Sequence, residues 1–336
     1  MIKLCIFLLL LLTGATPIKQ VVQSSAPSAK EKSLHLSKDK GNTLKDTCYT
    51  GLYLKNIYDL HPEEYSYTAD FWIWFDHKQS GLDPLNNVEI INAKQVTYTD
   101  FYHAHADKKV LLASESDRIT LIHDWRLENY PFDRQLLHIE LEAGLDTTKM
   151  ILRPIVDSFK IYKGLILPGW KIHSFSAKDS LVTYDSDFGE SQLKGKSTYS
   201  RITYEIEIYR QSWGLFFKLL IGLYISFLVS FLVFFIPPNR DARFGLSIGG
   251  LFAAIANKYV VDSNIPVSIS FSFVDQAHVV TFLLILVTLI CSVISLKISK
   301  GNKSHQRELF DRTCAWIIGS SYFIINAVLI ILVNNR

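Results

Sequence analysis

The chain has 336 residues, 49% apolar and 13% aromatic, and a formal net charge of +3. That composition suits a small folded domain joined to a membrane domain. The charge is too near neutral for a nucleic-acid binder, no basic run carries the aromatic interleaving of such a surface, and the four cysteines have no zinc spacing.

Residues 1–16, MIKLCIFLLLLLTGAT, place a lysine before a short apolar centre and small residues after it. This is the pattern of a secretory signal peptide, too short to span a bilayer unaided, with an uncleaved anchor as the alternative. Residues 17–45 are rich in Ser and Lys and lack periodicity, which predicts a flexible lead-in. Cys5 falls in the signal, and Cys291 and Cys314 fall in apolar runs. Cys48 is then alone outside, and no disulfide framework is available within one chain.

Residues 46–211 read as β-structure. Tyr65 to Phe75 mixes aromatic and β-branched residues without helical spacing. Val110 to His123, Leu136 to Leu141, Met150 to Leu152 and Trp170 to Phe175 are further strands. In Thr198 to Tyr209, Ile202, Tyr204, Ile206 and Ile208 alternate with Thr203, Glu205, Glu207 and Tyr209, the period-2 signature of a half-buried strand. Roughly ten short strands predict an immunoglobulin-like sandwich. Asp185 to Glu190 and Lys194 to Lys196 form the polar tip of a long hairpin.

Residues 212–336 carry four apolar spans, at 213–236, 241–263, 273–296 and 313–333. Pro237 and Pro238 end the first span, Asn239 is placed to cap the second, and Asn264-Ile265-Pro266 stops it. Asp275 and His278 stand at the head of the third, near the membrane surface. The links carrying Arg240 and Arg243, and Lys297, Lys300, Lys303, Arg307 and Arg312, are basic. The positive-inside rule puts both in the cytoplasm and the β domain outside or in the periplasm, in agreement with the signal peptide and a multi-pass inner (plasma) membrane location.

The second span is not uniformly apolar. At about 100° per residue, Asp241, Gly245, Ile248, Gly249, Phe252, Ala256, Tyr259 and Ser263 fall on one stripe, with Asn257 and Lys258 well off it. A thin stripe of small residues with an acid at one end suits the wall of a pore. Lys258 and Asp262, four apart, are expected to pair with each other or with a neighbouring subunit. Gly245 and Gly249 admit either close helix packing or a wide pore.

Asn129 to Leu137 reads NYPFDRQLL, after Asp124-Trp125 and before the four spans, and Arg210 stands just before the first span. With the β domain, these features resemble a subunit of the pentameric ligand-gated ion channel (Cys-loop receptor) family, in its bacterial branch without the loop disulfide. The resemblance covers residues 51–336. Gly51 (GLYLKNIY) and Trp170 (PGWKIHSF) look like the family's first and ninth strands. Leu137 replaces the second loop cysteine, so packing alone is expected to hold the loop.

The resemblance implies a homopentamer in membrane lipid, with five copies of the second helix lining a pore for cations. Asp241 would set five carboxylates at the cytoplasmic mouth, although an acid there also suits the helix dipole. Phe252 would close the pore by excluding water, with packing between helices as the alternative. Tyr259 is a second constriction. Arg243 points off the stripe, towards a headgroup or a neighbouring subunit. Asp76, Asp133, Arg210 and Pro266 are the implied coupling residues. A small-molecule agonist or protons would act on the outer domain, with Trp72, Trp74, Phe101, Tyr102, Tyr184, Phe188 and Tyr199 as candidate ligand residues. The Trp-x-Pro motif after the third strand and the aromatic in Gly144 to Thr148 are missing, which counts against an amine site. No cofactor or metal is expected. No nucleophile–base–acid set or phosphate loop points to an enzyme. A non-conducting receptor or scaffold of the same fold is the second reading.

Overall fold

A computed structural model describes residues 46–77, 83–106, 110–155, 157–189, 195–237, 240–263, 271–301 and 304–334, and only the backbone of residues 46, 98–106, 110–116 and 334. The expected signal peptide, lead-in, Asn239 cap and Pro266 turn lie outside the described residues, as does Lys303. The chain divides into a β unit, residues 46–126 and 133–211, and a helical unit, residues 127–132 and 212–334.

The β unit holds ten strands in two sheets. The first sheet has the order β4 (Ala93–Ala106), β5 (Val110–Ile122), β2 (Ser66–His77), β1 (Asp46–His61), β7 (Met150–Pro154), with β8 (Lys160–Ile161) also on β1. The second runs β3 (Val88–Ile90), β6 (Arg134–Asp146), β10 (Ser197–Arg210), β9 (Trp170–Tyr184). Most neighbours are antiparallel, while β7 and β8 run parallel to β1.

Alternation sets which face is inside. Ile202, Tyr204, Ile206 and Ile208 of β10 are fully buried, as are Leu137 and Ile139 of β6 and Leu52 and Leu54 of β1. Tyr67 of β2 donates its hydroxyl to the His138 carbonyl (2.8 Å), and Tyr204 donates to the Thr50 carbonyl (3.3 Å), so buried phenols link the two sheets. Each buried aromatic contributes large apolar area, and its one polar atom is satisfied. Four strands escape the pattern reading: β1, the short β3 and β8, and β4 (AKQVTYTDFYHAHA), whose polar residues and single alanines blur the alternation.

The helical unit contains α1 (Ser212–Phe231, followed by a 3-10 turn to Phe235), α2 (Ala242–Asp262), α3 (Phe273–Lys300) and α4 (Ser304–Asn334). All four are long and apolar enough to cross a membrane, and α2 is the least apolar of them. The chain is thus a multi-pass membrane protein. Its fourth helix begins nine residues before the expected span, because SHQRELFDR is charged yet rich in good helix formers.

Small residues let α1 and α2 approach. A Cβ at Gly222 would collide with Asn257, and one at Gly250 with Ser230 Oγ and the Ser226 carbonyl. This is the small-residue packing expected of membrane helices, but it runs through Gly222 and Gly250. Gly245 and Gly249 have open space where a Cβ would stand, so they do not mediate close packing within one chain.

Candidate functional site

The first candidate is the free face of α2. Asp241, Gly245, Ile248, Gly249, Phe252, Ala256, Tyr259 and Ser263 are all exposed in the single chain, Phe252 at 67% and Tyr259 at 78%. Roughly half a turn away, Arg243, Ser247, Gly250, Ala254 and Val261 are buried. One narrow face of α2 is therefore spent on α1 and α3, and the opposite face carries the stripe.

Polar side chains pin that orientation. Asn257 donates to the Leu219 carbonyl of α1 (3.2 Å) and bonds His278 Nε2 of α3 (3.1 Å). His278 is fully buried, and its Nδ1 bonds the Val274 carbonyl (2.8 Å). Lys258 pairs with Asp262 as expected, and also with Asp275 (2.9 Å). Asp275 in turn accepts from the backbone of Ser272 in a capping box that starts α3.

Arg243 departs most from expectation. It reaches neither headgroups nor solvent: it is fully buried and bidentate to Asp311 of α4 (2.8 and 3.1 Å). The sequence gives no hint of the partner, which lies 68 residues away in the part of α4 that lacks an apolar signal.

The second candidate is the loop before β6. Asp133 is 1% exposed and takes two bonds from Arg210, at 2.6 and 3.1 Å. The guanidinium also lies 4.0 Å over the Trp170 ring. Asp76, half-buried at the end of β2 opposite Tyr49 and Leu112, is not part of this ion pair. The loop is not held by packing alone. Gln135 donates to the Arg126 carbonyl (2.9 Å) and accepts from its N–H (3.1 Å), and so clips the ends of the loop. The same amide donates to Asp133 (2.9 Å). Residues 127–132 belong instead with the helices: the Glu128 carbonyl accepts from the Phe273 N–H (2.9 Å), and the Phe132 ring lies 5.4 Å from Trp213 and 5.7 Å from Phe216.

His123 lies behind this loop, edge-on to Trp125 (4.8 Å) and Tyr67 (6.0 Å). Burial pushes its pKa down to about 4, outweighing the Gln135 side chain and Asp124, while His138 and Arg126 add to the depression. The folded state therefore holds His123 neutral, whereas the unfolded chain binds a proton near pH 6.5. Stability from this group is complete above pH 6.5 and is lost as pH falls towards 4, by ~3 kcal/mol at most. A His123→Phe variant is expected to flatten the melting temperature between pH 6.5 and 4. Parallel melting profiles for variant and parent would show that His123 is not the group that titrates.

The third candidate is aromatic. Tyr184, Phe188 and Tyr199 come together at the β9–β10 tip, with centroids 5.5–5.9 Å apart and edge-to-face. Tyr184 donates its hydroxyl to Glu142 (2.9 Å) and accepts from Arg201 (2.8 Å), which also holds Glu142 and Glu140. Burial, then Glu142, raises the Tyr184 pKa, so the phenol stays protonated. The rings pack on one another, which leaves the outer face of Phe188, 63% exposed and at positive φ, as the accessible surface. Trp72 and Trp74 lie on the other sheet. Lys55 stands 5.4 Å over Trp72, and Trp74 covers Gly51. Phe101 and Tyr102 fall in β4, among residues whose side chains are not described.

No family model matches the chain, and no curated protein matches it. Among the described residues there is no cluster of three or more metal-ligating side chains.

Proposed function

We propose that this chain is one subunit of a pentameric ligand-gated ion channel that conducts cations, with α2 lining the pore. The observation that carries this reading is the exposed stripe of α2. The free faces of α1 (Trp213, Phe217, Ile221, Ile225) and α4 (Trp316, Phe323, Ile324, Ile331) are large and apolar, as lipid contact favours. The free face of α2 sets Ile248, Phe252 and Tyr259 among an acid, two glycines, an alanine and a serine, and these five gain little from lipid and suit water. A single helix cannot enclose water, but a ring of copies can. Its 21 residues rise about 31 Å, enough for a hydrocarbon core of about 30 Å.

In this reading the β unit faces outward as a ligand-binding sandwich, and a ligand or protons acting there bias α2. The loop whose Phe132 packs with the helices and whose Asp133 holds Arg210 would carry that bias, since consecutive residues serve the two units. Asp241 would supply the mouth charge. At ~10 Å in water each carboxylate favours a cation by about 0.4 kcal/mol, so five give ~2 kcal/mol before screening. Salt at a Debye length of about 8 Å removes more than half of that, leaving a several-fold enrichment of cations.

The experiment is current recording from purified protein in planar bilayers under a salt gradient and across pH. Asp241→Asn should move the reversal potential towards zero. An unchanged potential would count against the mouth role. Silent wild-type protein over a broad ligand and pH screen would favour the non-conducting receptor instead, with Phe252 and Tyr259 sealing the axis.

A further inference from the structure

We propose that Asp311 of α4 is a specificity-determining residue for ion passage: by holding and neutralising Arg243, it removes one of the two cations nearest Asp241 in sequence and leaves only the exposed Arg240 beside it. The inference rests on the channel reading above.

Arg243 lies in the first turn of α2, two residues from Asp241, where its positive charge adds to the positive end of the helix dipole. Within that turn no acid follows the Asp241 N-cap to compensate it. The guanidinium is instead drawn to the far side of the helix. There it bonds both Asp311 oxygens and the Ile236 carbonyl (3.0 Å), while Ser295 of α3 donates to Asp311 (2.9 Å). One pair thus ties the end of the first span, α2, α3 and α4 together.

Stability alone is a poor reason for this arrangement. Apolar residues of similar volume often serve as well as a buried ion pair. The pair is also incompletely satisfied, since the Arg243 Nε–H has no partner and neither does the Ser247 hydroxyl one turn further on. What the pair adds is a fixed place for a charge. Per chain, Asp241, Arg243 and Asp311 sum to −1; with Asp311 neutral they sum to 0.

The test is the reversal potential of reconstituted channels under a salt gradient. Asp311→Asn should lose as much cation preference as Asp241→Asn, and Asp311→Glu should restore it. The double variant Arg243→Gln/Asp311→Asn also sums to −1 and carries no unpaired buried charge, so it should assemble and keep the wild-type potential even if the single variant does not assemble. A merely structural anchor predicts the reverse: unaltered selectivity in any Asp311→Asn channel that assembles, or a disturbed potential in the double variant. Either result overturns the proposal and leaves the channel reading standing. Wild-type protein that never conducts overturns both.

Discussion

Replacing Arg210 with glutamine is expected to remove about 3–5 kcal/mol from the β unit and, on the channel reading proposed above, to abolish evoked current. The magnitude follows from Asp133, which is 1% exposed and would be left as a buried carboxylate without its cation. A loss of that size is a large share of the roughly 5–15 kcal/mol that keeps a domain folded. The effect also reaches Trp170, whose ring loses the guanidinium above it. Denaturation of the purified protein measures the first part, and bilayer recording the second. Arg210→Gln/Asp133→Asn removes the stranded charge and should recover most of the stability. If current returns with it, the pair is only a brace. If the double variant is stable yet silent, the pair transmits the signal. Wild-type denaturation and wild-type current in Arg210→Gln would remove both roles.

On the channel reading proposed above, Phe252→Ala is expected to raise the resting conductance on the order of tenfold or more, because a ring of phenyl groups would exclude water and a ring of methyl groups would not. The side chain is 67% exposed and none of the described aromatic pairs includes it, so its loss should cost the single chain less than ~1 kcal/mol. Folding and closure are therefore separable at this position. The same logic applies to Tyr259, 78% exposed one stretch further along the stripe. Recording at rest, without ligand and across pH, checks the expectation. An unchanged resting current with intact evoked current would place the closure elsewhere.

The two substitutions differ in how readily the sequence exposes them. Phe252 falls on the stripe by counting alone, since the helical period is local and α2 keeps it over its full length. Arg210 and Asp133 are 77 residues apart. They are paired by resemblance to a family pattern, and the same pattern brings in Asp76, which stands on β2 of the other sheet and outside the Asp133–Arg210 pair. The aromatic candidates divided in a similar way. Tyr184, Phe188 and Tyr199 flank one hairpin and so were bound to meet. Trp72 and Trp74 were drawn in by residue type, and they lie on the other sheet.

Sequence by itself determined the alternating core strand β10, the four spans, the exposed stripe of α2 and the Lys258–Asp262 pair, because each rests on a period or spacing that the backbone imposes over a few turns. Only tertiary structure decided that Arg243 turns inward to Asp311, that Asn257 meets His278, that Gln135 closes its loop, and that α1 and α2 touch through Gly222 and Gly250. Those partners come from distant parts of the chain. A buried polar group must find one or bear its desolvation cost, but local pattern does not say which.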